Sequence, residues 1–236
     1  MTIKIGWIGC GTHATQMLLS QFLRYDVQIT ALCDIDAKRL ASAGRQFGVT
    51  RLYSDAMELI KAGNIDAIGM AVGPDQHLGF GKAALKQGLP VFMEKPPSGT
   101  AEGAKELRAV SEKSGKPLLL GFMKRYSVGN KIAHNIVKSG DFGPVLGLTG
   151  YYMTAPGYFA GDVDYTGFFL HHCVHYMDLV SYLVSPVGKI TGRKVEKTPG
   201  RVLFHVNIDF ECGAIGTIAM GTIQSRGTPV ERIEIM

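Results

Sequence analysis

Ile3-Lys4-Ile5-Gly6-Trp7-Ile8-Gly9-Cys10-Gly11-Thr12-His13-Ala14 decides the fold. The apolar run reads as a buried strand, and the glycines that follow it without a spacer read as a strand-to-helix turn. The pattern is G-x-G-x-x-A. Gly9 permits the tight turn, Gly11 leaves room for a pyrophosphate, and Ala14 lets the helix lie close to the sheet. Backbone N–H groups at the helix start, around Thr12 and His13, then face phosphate oxygens. Such a stretch also serves as a plain strand-to-helix turn, so a second signal is needed. The next apolar run ends in Ala31-Leu32-Cys33-Asp34, which sets a carboxylate about 20 residues after the glycines. Asp34 accepts hydrogen bonds from a ribose 2′-OH and repels a 2′-phosphate, so the expected cofactor is NAD, with NADP disfavoured. Lys38 and Arg39 soften that discrimination. The competing role for Asp34, capping the next helix, suits Asp36 better.

Outward from this stretch, short apolar runs alternate with amphipathic segments as far as residue 122, the mark of βαβ units around a parallel sheet. Strands are expected at Ile3–Ile8, Val27–Cys33, Ala67–Val72, Pro90–Met93 and Leu118–Phe122. Helices are expected from Thr12, over Asp36–Phe47, after Asp55 with Glu58 completing a capping box, over Leu78–Gln87 and from Thr100. The expected class is α/β: a Rossmann dinucleotide-binding domain over 1–122, then an α+β domain over 123–236. The second domain is expected to carry helices at Asn130–Lys138 and Phe168–Leu183, with strands at Val145–Tyr152, Lys189–Glu196, Val202–Phe210, Ala214–Gln224 and Val230–Ile235. In Val202–Phe210 the apolar residues Val202, Phe204, Val206, Ile208 and Phe210 alternate with Leu203, His205, Asn207 and Asp209. That alternation predicts a large open, mainly antiparallel sheet with one dry face. The last residues still read as strand, as if the sheet continued.

Composition narrows the partners. The 236 residues are 46% hydrophobic and 19% charged, which fits a folded protein with real cores rather than a disordered chain. The formal charge of +5 comes from scattered Lys and Arg, with no basic run interleaved with aromatics, so no nucleic-acid partner is expected. Cys10, Cys33, Cys173 and Cys212 have no C-x-x-C or zinc spacing and read as reduced, packed thiols. No signal peptide and no apolar run of membrane-spanning length stand out, so a cytoplasmic protein without a membrane partner is expected.

With the fingerprint and Asp34 in hand, three further motifs give a resemblance: Val72-Gly73-Pro74-Asp75-Gln76-His77, Glu94-Lys95-Pro96 and His175-x-x-Asp178. Together they resemble the Gfo/Idh/MocA family of glucose–fructose oxidoreductase and inositol dehydrogenase relatives. The resemblance implies a Rossmann domain joined to a large open sheet, with substrate held between that sheet and the nicotinamide. It implies that Lys95 lies beside nicotinamide and substrate, that His175 is the acid/base, and that substrates are sugars, cyclitols or related polyols. The family also holds NAD-dependent glycoside hydrolases and regulators that bind the dinucleotide without turnover. The chain departs from the family pattern in three places. Val72-Gly73 replaces the T-P opening of the turn that ends in His77. His171 stands where relatives place an aspartate, behind a lead-in reduced to Tyr165-Thr166-Gly167. Relatives also usually run on well past this length.

Reversible oxidation of a secondary alcohol needs a base for the hydroxyl proton, and imidazole, with a reference pKa near 6.5, suits neutral pH. His171 and His175, four apart, share a face of a regular helix, whereas His172 points about 100° away. The same pair suits a metal at helical spacing, with Asp178 as third ligand, but no H-E-x-x-H glutamate is present and no metal is expected. Asp178 equally suits orienting His175 or facing solvent. Lys95 is the electrostatic partner for developing alkoxide charge, and Pro96 and Pro97 stiffen its loop. The remaining cofactor candidates are Val72, Gly73, His77 and Glu94, although His77 also suits a helix start and Glu94 a structural place. Arg125 and Tyr152, with Tyr126, Tyr151, Tyr158, Phe159 and Tyr165 around them, suit a polyol pocket or plain packing. A homodimer or homotetramer through the second sheet is expected. Two other functions stand beside the dehydrogenase: NAD binding without turnover, and NAD-assisted glycoside hydrolysis.

Overall fold

Strands β1 (Ile3–Ile8) and β2 (Val27–Cys33) keep the bounds their apolar runs set. In the computed structural model, which describes residues 2–156, 163–225 and 229–236, the chain divides into two units, Met1–Gly121 and Phe122–Met236. The first unit adds β3 (Leu52–Tyr53), β4 (Ala67–Met70), β5 (Val91–Met93) and β6 (Leu118–Leu120). All pairings in its sheet are parallel, and the strand order is β3-β2-β1-β4-β5-β6. This is the doubly wound order whose direction reverses beside the first strand.

The helices between these strands start and stop where local chemistry says. The chain turns into helix after Gly11, passes through a π-turn at Ala14–Leu18, and ends in α1 (Leu19–Phe22). Asp36 caps α2 (Ala37–Phe47) by accepting from the amides of Lys38 and Arg39, and Gly48 closes it in the left-handed region. Asp55 caps α3 (Ala56–Lys61) through Met57 N–H, and Thr100 caps α5 (Ala101–Ser114) through Gly103 N–H. The helix expected at Leu78 begins four residues earlier: α4 spans Pro74–Lys86, with Gly73 as its cap and proline in the first turn, where its missing N–H costs nothing. Strand β3 escaped the sequence reading because two residues carry no periodicity. Strands β4 and β6 stop two residues short of their apolar runs. Past β4 the Val72 amide turns to the His77 ring, and past β6 Phe122 leads into a 3-10 turn at Met123–Tyr126.

Trp7 anchors one layer of this core. It is fully buried beside Phe22 and Phe92, and on the neighbouring strand Gly69 makes room for it: a Cβ there would meet the indole at 2.3 Å. Burying an aromatic of about 200 Å² is worth roughly 5 kcal/mol at about 25 cal/mol per Å². The opposite layer packs α3, α4 and α5 on the sheet through Leu59, Ile60, Leu85 and Leu107.

The second unit holds α6 (Val128–Lys138), β7 (Gly147–Met153), a helical run of α7 (Tyr165–Phe168), a π-turn at Phe169–Cys173 and α8 (Val174–Leu183), then β8 (Val187–Thr198), β9 (Arg201–Phe210), β10 (Ile215–Gly221) and β11 (Val230–Ile235). The strand order is β11-β7-β10-β9-β8, antiparallel except for β10 beside β7. The alternation in β9 does what its sequence predicts: Val202, Val206, Ile208 and Phe210 are buried while His205, Asn207 and Asp209 are exposed. Its dry face packs against Tyr176, Leu179, Val180 and Leu183 of α8. The other face carries Thr149, Tyr151, His205, Thr217, Arg232 and Glu234 around a shallow groove of about 260 Å³. Among the described residues no helix is long and apolar enough to cross a membrane, and all four cysteines are free. Burial pushes the Cys10 thiol up to about 12, helped by the nearby Asp34 charge.

Candidate functional site

Gly9 sits at φ +93°, a backbone region that penalises any side chain, and a Cβ there would meet the Ala71 carbonyl oxygen at 2.3 Å. The turn after β1 therefore presses directly on the chain leaving β4. Gly11 differs: a Cβ there would meet nothing within 4 Å, so the turn opens onto free space at this point. The first helical bond runs from Thr15 N–H to the Gly11 carbonyl, which puts the amides ahead of Thr15 at a helix end with surplus donors. Ala14 is fully buried on the sheet, the close packing that a small residue at this position allows.

Asp34, at the end of β2, is nearly buried, and it holds the glycine turn in place. One carboxylate oxygen accepts Cys10 N–H at 2.7 Å and the other accepts Asp36 N–H at 2.8 Å. It thereby ties the fingerprint to the entry of α2, and Asp36 is the cap. At the carboxyl ends of β1, β2 and β4 a cavity of about 570 Å³ is lined by Gly9, Gly11, Asp34, Val72 and Gly73, together with Ile35 and Arg39. Sequence reasoning missed Ile35 as a lining residue, although its place directly after the strand-end carboxylate is the available signal. A second hollow, of about 630 Å³, lies over Ile5, Phe22, Phe92 and Leu119; its apolar walls offer no chemistry.

The loops after β4 and β5 meet through His77. Its fully buried ring accepts Val72 N–H on Nε2 at 3.2 Å, and Nδ1 lies 2.9 Å from the Pro96 carbonyl. Burial, with the charge of Lys95, holds this imidazole below its ordinary pKa. The Lys95–Pro96 bond is cis, and burial lowers the Lys95 ammonium pKa against the opposing pull of Glu94. Glu94 packs where a side chain at residue 121 would stand: a Cβ on Gly121 would meet its carboxylate at 2.7 Å. Its Oε1 lies 3.7 Å from His13 Nε2 at the fingerprint helix. Gly9, Gly11, Asp34, Val72 and Gly73 thus share one cavity, His77 is a buried tie behind it, and His13 pairs with Glu94.

In the second unit the histidines follow a different count from that of a regular helix. The π-turn at Phe169–Cys173 takes in one more residue than an α-turn, so the four-residue spacing does not carry across it. His171 is exposed, His172 is half-buried with Nδ1 3.1 Å from the Tyr152 hydroxyl, and His175 is buried with the Phe122 ring edge-on at 6.2 Å. Asp178 does not face solvent. It takes the Arg125 guanidinium as a fork, with Nε at 2.7 Å from Oδ2 and Nη2 on Oδ1, while Arg125 also lies over the Tyr182 ring. The pairs Arg125–Asp178 and Tyr152–His172 were not legible as pairs, because each joins segments far apart in sequence. Among the described residues no group of three or more His, Cys, Asp or Glu side chains is placed to hold a metal ion. Tyr126 is exposed and Tyr165 lies against Phe204, whereas Tyr158 and Phe159 lie outside the described residues.

The sheet order, the glycine turn and the strand-end carboxylate define a dinucleotide-binding Rossmann protein. The family described as an oxidoreductase family with an NAD-binding Rossmann fold, Gfo/Idh/MocA, matches residues 3–122, and the chain belongs to it. An inositol 2-dehydrogenase of Azotobacter vinelandii is 34% identical over 151 residues, 63% of this chain and 45% of that one; the matched region spans less than half the length of that relative. Two solved structures share the fold over the whole chain. An oxidoreductase from Agrobacterium radiobacter, in complex with NAD+, L-tartaric acid and magnesium, gives a TM-score of 0.88 at 22% identity, over 72% of its own length. Scyllo-inositol dehydrogenase from Lactobacillus casei, with bound NAD(H) and scyllo-inositol, gives 0.84 at 21% over 74%.

Proposed function

We propose that the chain serves reversible oxidation of a secondary alcohol on a polyol, a cyclitol being the favoured class, with NAD as the cofactor. The observation that carries this reading is the cavity at the strand ends, where Gly11 opens the turn, Gly9 fixes it and Asp34 stands at the ribose end. The identity with inositol 2-dehydrogenases supports the substrate class. Bound nicotinamide supplies the hydride acceptor. The chain's own residues bind and orient it: the glycine turn and the α1-side amides for the phosphates, Asp34 for the ribose hydroxyls, and Val72 and Gly73 along the cavity wall. A carboxylate at the ribose repels a 2′-phosphate, which favours NAD over NADP.

Lys95 holds the alcohol oxygen and stabilises the negative charge that grows on it, and a half-buried ammonium is worth more there than one in water. His175 takes the hydroxyl proton in the oxidative direction and returns it in the reductive one. His171, exposed and off the face of His175, offers the substrate an uncharged hydrogen-bonding side chain in place of an aspartate. We further propose pairing of copies through the polar outer face of the second sheet, which light scattering tests. The activity test is NADH absorbance on adding sugars and cyclitols, with NAD and then NADP. Reduction of NAD by a cyclitol supports the reading. NADH binding with no turnover across the panel points instead to binding alone, and sugar release from a glycoside without net NADH points to hydrolysis.

A further inference from the structure

His77 is a buried side chain that joins the loop after β4, which lines the dinucleotide cavity, to the loop after β5, and both of its ring nitrogens are committed. A backbone amide can only donate and a backbone carbonyl can only accept. Val72 N–H therefore requires Nε2 to be bare, and the Pro96 carbonyl makes Nδ1 the nitrogen that carries the proton. The neutral Nδ1–H tautomer satisfies both partners; the doubly protonated ring would aim an N–H at the Val72 N–H. What each partner adjoins gives the ring its reach. The Val72 side chain would lie 2.9 Å from a Cβ on Gly9, so the chain His77 holds is the chain the fingerprint turn presses on. Pro96 follows Lys95 directly. The ring also sits in the first turn of α4, whose opening bond is His77 N–H to the Gly73 carbonyl, and Gly73 lines the cavity.

We propose that His77 is the positioning residue of the dinucleotide cavity: held neutral, with its proton on Nδ1, it ties the main chain of Val72 to that of Pro96, and a second proton releases Val72 and weakens dinucleotide binding. The groups facing the ring point the same way. Burial and the Lys95 ammonium oppose a second charge; the Pro96 and Met70 carbonyls favour one but are outweighed, and Met70 already accepts Glu94 N–H. The sign follows. With the folded pKa depressed below the ordinary 6.5, the tie and the stability it gives are whole above that pH and are lost as the pH falls below it.

This rests on the dinucleotide reading of the cavity, and calorimetric titration of the full chain with NADH between pH 5.5 and 8.5 separates the two. Wild type that binds no NADH at any pH overturns the dinucleotide reading. Wild type that binds, with affinity that holds through pH 6.5 and falls on further acidification, is the expected result. His77→Phe keeps the ring volume without the ties and is expected to bind about tenfold more weakly at pH 7.5, the loss that two hydrogen bonds of ordinary net strength represent, with little further change on acidification. His77→Gln, which can still accept from an amide, is expected in between and equally flat. Because His77→Phe can disturb folding, nitrogen NMR of the wild-type ring supplies the second measurement. A ring that carries its proton on Nε2, or is doubly protonated at pH 7, overturns the proposal, as does a His77→Phe protein that binds NADH with the wild-type affinity and pH dependence.

Discussion

The glycine turn after β1 and the histidine run before α8 are both helix entries broken by a π-turn, yet one is built of main chain and the other of side chains. At the first, the working parts are a φ of +93°, an open space over Gly11 and the Cys10 amide held by Asp34. At the second, they are imidazoles aimed by helix phase, met by a tyrosine hydroxyl from β7 and a guanidinium from the turn at Met123–Tyr126. The difference teaches where sequence speaks plainly. Backbone sterics leave a fixed letter, glycine, at a fixed place, whereas one extra residue in a turn re-aims every side chain that precedes it.

Six substitutions sharpen or break this contrast. Lys95→Met, which removes a charge from the half-buried loop, is expected to lower kcat/KM by about a hundredfold or more while NADH affinity stays close to wild type; steady-state kinetics on an active cyclitol check it, and wild-type turnover would take Lys95 out of the chemistry. Gly9→Ala and Gly11→Ala should then separate. The first meets the Ala71 carbonyl at positive φ and should cost about 2 kcal/mol or more of stability, read as a lower Tm. The second meets nothing, so it should leave Tm within roughly 0.5 kcal/mol of wild type and act on NADH binding instead.

Asp34→Ser combines both kinds of role. Losing the carboxylate strips the Cys10 and Asp36 amides of their acceptor, at about 1–2 kcal/mol, and should narrow the NAD-to-NADP affinity ratio; an unchanged ratio would leave Asp34 as a tie alone. The smallest effect belongs to the histidine run. His172→Phe removes the partner of Tyr152 and is expected to cost about 1 kcal/mol, while exposed His171→Leu leaves Tm unchanged and lowers kcat/KM. Equal melting curves for the two variants would mean that the π-turn does not set the phase in solution.

Much of the first unit was legible. β1 and β2 have the bounds of their apolar runs, and Asp36, Asp55 and Thr100 cap helices with the chemistry their side chains offer. The missed β3 has two residues and thus no period to read. The π-turn at Phe169–Cys173 was not legible, because nothing local distinguishes its residues from those of a regular helix. His77 was recognised as a helix-start residue, but its ties to Val72 and Pro96 depend on two loops meeting from different strands. Arg125 and Asp178 were both singled out from sequence, and only folding revealed that they spend their charges on one another.

Trp7 has one more use. It is the chain's one tryptophan, its indole N–H donates to the Gly9 carbonyl at 2.8 Å, and its ring lies against Gly69 and Phe92. Its emission therefore reports the glycine turn of the first unit and, with no tryptophan in the second, is not mixed with signal from there. Quenching of that light on addition of NADH follows occupancy of the turn without any label, and its spectral shift during denaturation marks the melting of one unit separately from the other.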